Sequence, residues 1–193
     1  DHQKAQDLLY KALVQKNPTI DPLQITEVMD QHINQQSPFW ITAQQEVASM
    51  VRRELFTGDI SAWNTSSLVE MRYMFYGSSF NDDISQWDVS NVIKMDSMFM
   101  DSQFNSDISQ WNVSNVTDMS GMFSSAVAFN QPIGNWNTSN VTNMSEMFSY
   151  AKEFNQPLNN WNVSKVTNMD YMFSKALSFN QDLSSWEDRK STR

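Results

Sequence analysis

The sequence predicts an α/β solenoid, a stack of strand-plus-helix coils of about 25 residues with a helical cap at its N-terminus. Three observations support this fold class. Tryptophans recur every 24 or 25 residues from Trp63 to Trp186, phenylalanines and Met-Phe pairs keep the same step, and every unit combines a strand-like with a helix-like apolar spacing. One such unit cannot bury its apolar side alone, whereas stacked copies bury it against their neighbours.

The repeat unit reads F-N-x-x-[IL]-x-x-W-[ND]-[VT]-S-x-V-x-x-M-x-x-M-F, followed by about five variable residues. Five full units begin at Phe56, Phe80, Phe104, Phe129 and Phe154. A sixth begins at Phe179 and lacks the V-x-x-M-x-x-M-F half. The predicted solenoid therefore spans residues 56–186, with five full units and a half unit.

The two halves of each unit predict different local structures. In the fifth unit the second half keeps the helical spacing i, i+3, i+6, i+7 at Val166, Met169, Met172 and Phe173. Ser164 precedes this stripe and suits a helix N-cap. The first half has apolar residues among polar neighbours, and Pro157 forbids a long helix there, so we expect a turn and a short strand.

Residues 1–55 carry no repeat and predict three helices, from apolar stripes at 3–16, 25–33 and 43–55. Asn17-Pro18 and Ser37-Pro38 separate the stripes. Because the end of a solenoid exposes apolar surface, we expect a helical cap, and the third helix is the best candidate. We expect the first two helices either to pack on the third or to link to another domain. Residues 187–193 form a polar tail.

The composition excludes several classes of function. The formal net charge of −9 repels phosphate backbones, so we expect no nucleic-acid partner. The chain has no cysteine and only two histidines, which leaves almost nothing for a histidine-based triad or a metal centre. No apolar run approaches the ~20 residues that a membrane span needs, so we expect no span in this chain.

Paired carboxylates are the one catalytic mechanism that the composition leaves open. The non-repeating acidic residues Asp118, Glu146, Glu153 and Asp170 fall at positions expected of solvated helix surfaces, and a convex rod offers no evident cleft. We therefore predict no enzymatic activity, no catalytic residue, no metal and no cofactor. A weak column of aspartates is interpreted as a solvated acidic edge, with calcium binding as the alternative: Asp59, Asp82, Asp83, Asp107 and Asp182.

The repeated tryptophans, methionines and phenylalanines predict the structural core. Tryptophan buries a large apolar area in a thin solenoid, and methionine is flexible enough to fill gaps between imperfectly matched coils. The predicted core residues are Trp87, Trp111, Trp136, Trp161, Met98, Met122, Met147, Met172, Phe99, Phe123, Phe148 and Phe173. The alternative for the tryptophans is an exposed aromatic strip that stacks on sugar rings.

An asparagine follows each repeated phenylalanine from Phe80 onwards, at Asn81, Asn105, Asn130, Asn155 and Asn180. We interpret these residues as a stacked amide ladder that bonds the turn backbones of successive coils. Contact with a ligand is the alternative. The same two interpretations apply to the Asn or Asp after each tryptophan, where the ladder is favoured less strongly.

The units resemble the BspA-like surface-protein family of leucine-rich-repeat variants, and more closely its W-[DN]-[VT]-S-x-V-T-x-M-x-x-M-F branch, frequent in mycoplasma lipoproteins and other microbial surface proteins. The resemblance covers residues 56–186. It implies a right-handed, leucine-rich-repeat-like solenoid at the cell surface or secreted, which serves as a binding or adhesion module. The first unit departs from the pattern with Thr57 and Leu68, where Asn and Val are usual.

The predicted function is therefore non-catalytic binding, with a protein as the favoured partner. Between each Ile or Leu and the following tryptophan lies a variable polar pair, and an Asn or Asp follows the tryptophan. The candidate binding face is Gln86, Asp88, Gln110, Asn112, Asn135, Asn137, Asn160 and Asn162. Two alternatives stay open, a carbohydrate-binding module that uses the tryptophan ladder and a structural protein that self-associates end to end.

Overall fold

Successive repeat units lie against one another in chain order in the computed structural model, which describes residues 60–186. Isolated parallel bridges link one residue of each unit to the corresponding residue of the next, along the column Glu70, Lys94, Asp118, Asn143 and Asn168. The predicted helices of residues 1–55 and the tail of residues 187–193 lie outside the described residues. In this part of the chain the only helix, α1, spans 184–186, and no strand is longer than a single bridge.

Three linked turns follow the bridge residue in each unit. In the first unit the backbone N–H groups of Met74, Tyr76 and Ser78 each donate to the carbonyl three residues earlier, at 3.1–3.4 Å. Alternate N–H groups donate to the next unit instead, as Tyr73 does to Asp96 and Phe75 to Met98 at 3.2 and 2.8 Å. The same pattern recurs at the three following junctions. Half of the backbone donors in the turns therefore join units rather than close a helix.

The helix predicted for the V-x-x-M-x-x-M-F half is wrong, and the short strand predicted for the first half is absent from the described residues. The linked turns bury Met71, Met74, Phe75 and Ser78, which are spaced i, i+3, i+4 and i+7. An amphipathic helix buries the same spacing, so the apolar pattern cannot separate the two structures. The right-handed, leucine-rich-repeat-like character of the stack stays a prediction.

Two positions in each set of linked turns have a left-handed backbone, with φ between 55° and 63°. The first column is Tyr73, Ser97, Gly121, Glu146 and Tyr171, and the second is Gly77, Asp101, Ser125, Tyr150 and Lys175. Type II turns carry a positive φ at this third position, which glycine occupies without strain. A residue with a Cβ loses about 1–2 kcal/mol there. The N–H of each such residue in the first four units donates to the next unit, which helps to hold this conformation.

The core consists of aromatic columns that run along the stack. The phenylalanine of each Met-Phe pair packs on that of the next unit, with ring centroids 5.4–5.7 Å apart. It also stacks on the phenylalanine that opens the next unit, at 3.8–4.4 Å. The structure buries the predicted core residues, except Phe173, which is partly buried and packs against the core.

The stack stays in register although the units differ in length. The first two units have 24 residues and the next three have 25, and the extra residue follows the Met-Phe pair. In the shorter units the hydroxyl of Ser78 or Ser102 donates to the carbonyl of the preceding phenylalanine. In the longer units a further turn takes the extra residue, as where Phe129 N–H donates to Ala126.

Candidate binding face

The candidate face forms a row along the stack, here called the polar ridge: Gln86, Asp88, Gln110, Asn112, Asn135, Asn137, Asn160 and Asn162. Asn162 is half-buried and the other seven residues are exposed. Each pair flanks a tryptophan, and neighbouring tryptophan rings stack with centroids 6.2–6.5 Å apart where they are parallel. Equivalent ridge residues are therefore spaced by nearly the same step. The structure brings the predicted residues together as one continuous surface.

Buried tryptophans anchor the ridge from below. The indole Nε1 of Trp87, Trp111, Trp136, Trp161 and Trp186 donates to a carbonyl of the preceding unit at 3.0–3.1 Å. All five rings are buried. Because neither ring face is open to solvent, these tryptophans cannot stack on a sugar, and the carbohydrate alternative loses its proposed contact.

The side chain of the Asn or Asp after each tryptophan accepts a hydrogen bond within its own turn and not from the next unit. The Oδ1 of Asp88, Asn112, Asn137 and Asn162 accepts from the backbone N–H of the serine two residues later, at 3.0–3.2 Å. The hydroxyl and the backbone N–H of Ser90 lower the pKa of Asp88 below 3.8. Within residues 60–186 the side-chain amide nitrogens of Asn112, Asn137 and Asn162 have no hydrogen-bond partner, so they can donate to a ligand.

The amide ladder predicted after the repeated phenylalanines is confirmed. The Oδ1 of Asn81, Asn105, Asn130 and Asn155 accepts from the backbone N–H of the equivalent asparagine in the next unit, at 2.6–3.1 Å. In the longer units a glutamine adds a side-chain donor, as Gln156 Nε2 does to Asn130. These asparagines connect units, and their oxygens are not free for a ligand.

A second outward surface, not singled out from the sequence, lies on the linked turns. This turn face comprises the residues at the positions of 72, 73, 76 and 77 in each unit. At one end Arg72 Nε donates to both carboxylate oxygens of Asp96 at 2.9 and 3.0 Å, and Lys94 pairs with Glu70 at 3.3 Å. Burial raises the pKa of Asp96, and the Arg72 charge only partly opposes this.

Tyr73 lies beside this ion pair. Burial raises the pKa of the Tyr73 hydroxyl, and the negative charge of Asp96 adds to the effect. Sequence variation between the units could have revealed the turn face. The position of Tyr73 in V-x-x-M-x-x-M-F holds Tyr, Ser, Gly or Glu, whereas the rest of the motif repeats closely. The helix prediction also places the positions of the turn face on one side, which it interprets as the solvated side of a helix.

No three His, Cys, Asp or Glu side chains between residues 60 and 186 come together in a group that could hold a metal ion. Of the aspartate column, Asp59 lies outside the described residues. Asp83, Asp107 and Asp182 each accept from the backbone N–H of the serine two residues later, at 2.8–2.9 Å. In that same part of the chain, no helix has the length and apolarity of a membrane span.

Comparison with known proteins gives one match. The sequence matches a family described as "Mycoplasma protein of unknown function, DUF285" in two overlapping segments, residues 28–133 and 101–193. No curated protein and no solved structure matches the chain. The family description supports the mycoplasma-type repeat predicted from the residues, but it does not name the BspA-like family. On this match over most of its length, the chain belongs to the DUF285 family of mycoplasma-type proteins of unknown function.

Proposed function

We propose that the chain is a non-catalytic binding module that holds a protein partner along the polar ridge. One observation carries this proposal, namely that the ridge is a row of polar side chains, all exposed except Asn162, that flank buried tryptophans. Rigid positioning favours binding because little side-chain and loop entropy is lost when the partner docks. Repeated donors and acceptors at a nearly constant step suit an extended contact.

The resemblance to surface proteins supports a place at the cell surface or outside the cell, and it supports an adhesive role. The leucine-rich-repeat-like solenoid is part of the same proposal. The proposal includes no enzymatic step and no cofactor. An end-to-end structural role is the second candidate, and sedimentation at several concentrations tests it, since a constant monomer mass would remove it.

The ridge is tested first by photo-crosslinking. A photoreactive phenylalanine analogue at Gln110 or Asn135 should capture a partner on intact cells, whereas the same analogue at Gln103, which is exposed outside the ridge, should not. The captured partner is then purified, and its affinity is measured for the wild-type chain and for the variants Gln110→Lys and Asn135→Lys. We expect both variants to weaken binding at least about tenfold, which corresponds to ~1.4 kcal/mol.

The matched control is Gln103→Lys, which makes the same change at an exposed position outside the ridge. Thermal unfolding of all variants shows that the fold is retained. Equal affinity of the wild-type chain and both ridge variants for the captured partner would overturn the proposal. Binding on a glycan array that survives both ridge variants would replace it with a carbohydrate-binding function.

A further inference from the structure

The turn face is here called the saddle, because its side chains are small at the centre and large at both ends. Its centre, in the third unit, carries only small residues: Ser120, Gly121, Ser124 and Ser125. Tyrosines border both ends, with Tyr73 and Tyr76 in the first unit and Tyr150 and Tyr171 in the fourth and fifth. Tyr150 and Tyr171 expose 50% and 73% of their surface, so their rings stand free beside a low floor.

Two equivalent hydroxyl groups, one in the floor and one in the next unit, are nearly buried and have no partner among the described residues. Ser124 is 3% exposed and Ser149 is 4% exposed, and no described residue hydrogen-bonds to either hydroxyl. Neither oxygen is among the fully buried polar atoms that lack a hydrogen-bond partner, so both reach the surface of the saddle. A nearly buried hydroxyl without a partner is one that a bound polar chain can satisfy.

The charge of the saddle is negative beyond its first unit. Asp101, Glu146 and Asp170 are exposed, and none forms an ion pair with another described residue. At the opposite end Arg72 and Lys94 are neutralised by Asp96 and Glu70. Lys175 is the one cation of the described turn face outside those pairs.

The saddle has the length of a short extended peptide. The column from Tyr73 to Tyr171 covers four unit steps, and the phenylalanines beside it are spaced 5.4, 5.6, 5.7 and 5.6 Å apart. Four steps span on the order of 22 Å, which about seven extended residues cover at ~3.3 Å each.

We propose that the turn face binds an extended, lysine- or arginine-rich segment of a protein partner. The peptide backbone lies over the small floor and bonds to the hydroxyls of Ser124 and Ser149. Its cations pair with the carboxylates of Asp101, Glu146 and Asp170, or lie over the tyrosine rings, which attract cations. This proposal rests on the chain being a binding module, but it does not depend on the polar ridge.

The test uses a fluorescently labelled nine-residue peptide that alternates lysine with serine, and a matched peptide with glutamate in place of lysine. Fluorescence anisotropy measures binding to the full chain at low salt. We expect the lysine peptide to bind and the glutamate peptide not to bind. The double variant Asp101→Asn/Glu146→Gln should weaken binding about tenfold, because two charge pairs contribute up to about 1 kcal/mol each.

The matched control is Asp107→Asn/Asp182→Asn, which changes the net charge equally but lies outside the saddle. It should leave the affinity within about twofold, whereas Ser125→Arg, which fills the floor, should abolish binding. Equal weakening by both double variants would mean that the peptide follows net charge, and the proposal would fail. Absence of binding to the wild-type chain would also overturn it.

The ridge variants Gln110→Lys and Asn135→Lys separate this proposal from the proposed function. If they abolish capture of the cellular partner while the peptide still binds, both proposals stand on separate surfaces. If the peptide does not bind but the ridge variants lose the cellular partner, only the turn-face proposal fails. If the ridge variants keep the partner and the saddle variants lose it, only the ridge proposal fails.

Discussion

The indole Nε1 of Trp136 donates a hydrogen bond to the carbonyl oxygen of Ile108 at 3.1 Å, across the boundary between two repeat units. The two residues are 28 positions apart, and the same bond recurs for every tryptophan from Trp87 onwards. A buried indole needs an acceptor for its N–H, and here only the correct register supplies one. The tryptophan therefore fixes register as well as filling the core.

Trp136→Phe should destabilise the chain. The substitution removes a buried hydrogen bond, leaves the Ile108 carbonyl without that partner and opens space in the core. We expect a loss of about 2–4 kcal/mol in the free energy of unfolding, measured by urea denaturation. Asn135→Ala, at the adjacent exposed position, should change it by less than about 0.5 kcal/mol. Equal effects of the two substitutions would contradict the anchoring role.

Tryptophan fluorescence should show that the column of tryptophan rings is shielded from water. In a Trp40→Phe variant, emission comes from the six tryptophans of the repeats alone. Five of these six rings are buried and Trp63 is half-buried. We expect blue-shifted emission that resists iodide quenching and becomes red-shifted and accessible in denaturant. Native emission that iodide quenches as readily as the denatured signal would place the rings in water.

Asn130→Ala should break one step of the amide ladder. Asn130 Oδ1 accepts from the backbone N–H of Asn155 and from Gln156 Nε2, each at 3.0 Å. Loss of this acceptor should cost about 1–2 kcal/mol of unfolding free energy. Asn130→Asp keeps an oxygen in the same place and should retain most of the stability. Hydrogen exchange at the Asn155 amide should accelerate in the alanine variant and remain slow in the aspartate variant.

Gly121→Ala should destabilise the third unit. Gly121 has a φ of +60°, and an added Cβ would lie 3.1 Å from Ser97 Oγ. The left-handed backbone alone costs an alanine about 1–2 kcal/mol. Adding Ser97→Gly removes the close contact and relieves a second left-handed residue, so the double variant should recover most of the loss. Thermal melts of the wild-type chain and the two variants measure this, and a double variant no more stable than Gly121→Ala would be the contrary result.

Asp96 should make stability depend on pH in the opposite sense to Asp88. The folded-state pKa of Asp96 is raised above 3.8, chiefly by burial, so its contribution is fully present below the unfolded pKa and is lost as pH rises through the folded pKa. The pKa of Asp88 is lowered, so its contribution is present above 3.8 and is lost as pH falls.

Urea denaturation between pH 2.5 and about 7 tests this, with Asp96→Asn and Asp88→Asn compared to the wild-type chain. As pH rises, the stability of the wild-type chain relative to Asp96→Asn should fall, whereas its stability relative to Asp88→Asn should rise. If the stability of the wild-type chain relative to both variants rose with pH, or fell with pH, the assigned directions of the two pKa shifts would be contradicted.

Much of this architecture follows from the spacing of a few residues. The step between tryptophans such as Trp87 and Trp111 gives the stack, and the asparagine after each phenylalanine gives the amide ladder. The helix prediction failed because linked turns and helices bury the same apolar spacing. The turns depend on left-handed residues, yet Tyr73 and Glu146 give no sign of this in the sequence, since glycine marks only two of the ten positions.

The candidate binding surfaces were likewise predicted only in part from the sequence. The polar ridge follows from the position of Gln110 or Asn135 beside a repeated tryptophan, because a residue next to a buried anchor on a regular unit must reach the surface. The saddle was missed because its positions, such as Glu146 and Asp170, coincide with the solvent-facing positions of the predicted helix and are interpreted there as solvated surface.

The N–H groups of the linked turns that bond across a unit boundary all donate to carbonyl groups of the unit after it, as Tyr73 does to Asp96. Along the linked turns each unit therefore has two unlike ends, one that offers donors and one that offers acceptors. The bonds that flank the turns run the other way, as from Ile93 N–H to Val69. Two such ends are complementary only head to tail, because a head-to-head meeting would place N–H rows against N–H rows. An array that grows through these turns is thus polar and open, and cannot close into a twofold-symmetric dimer through them.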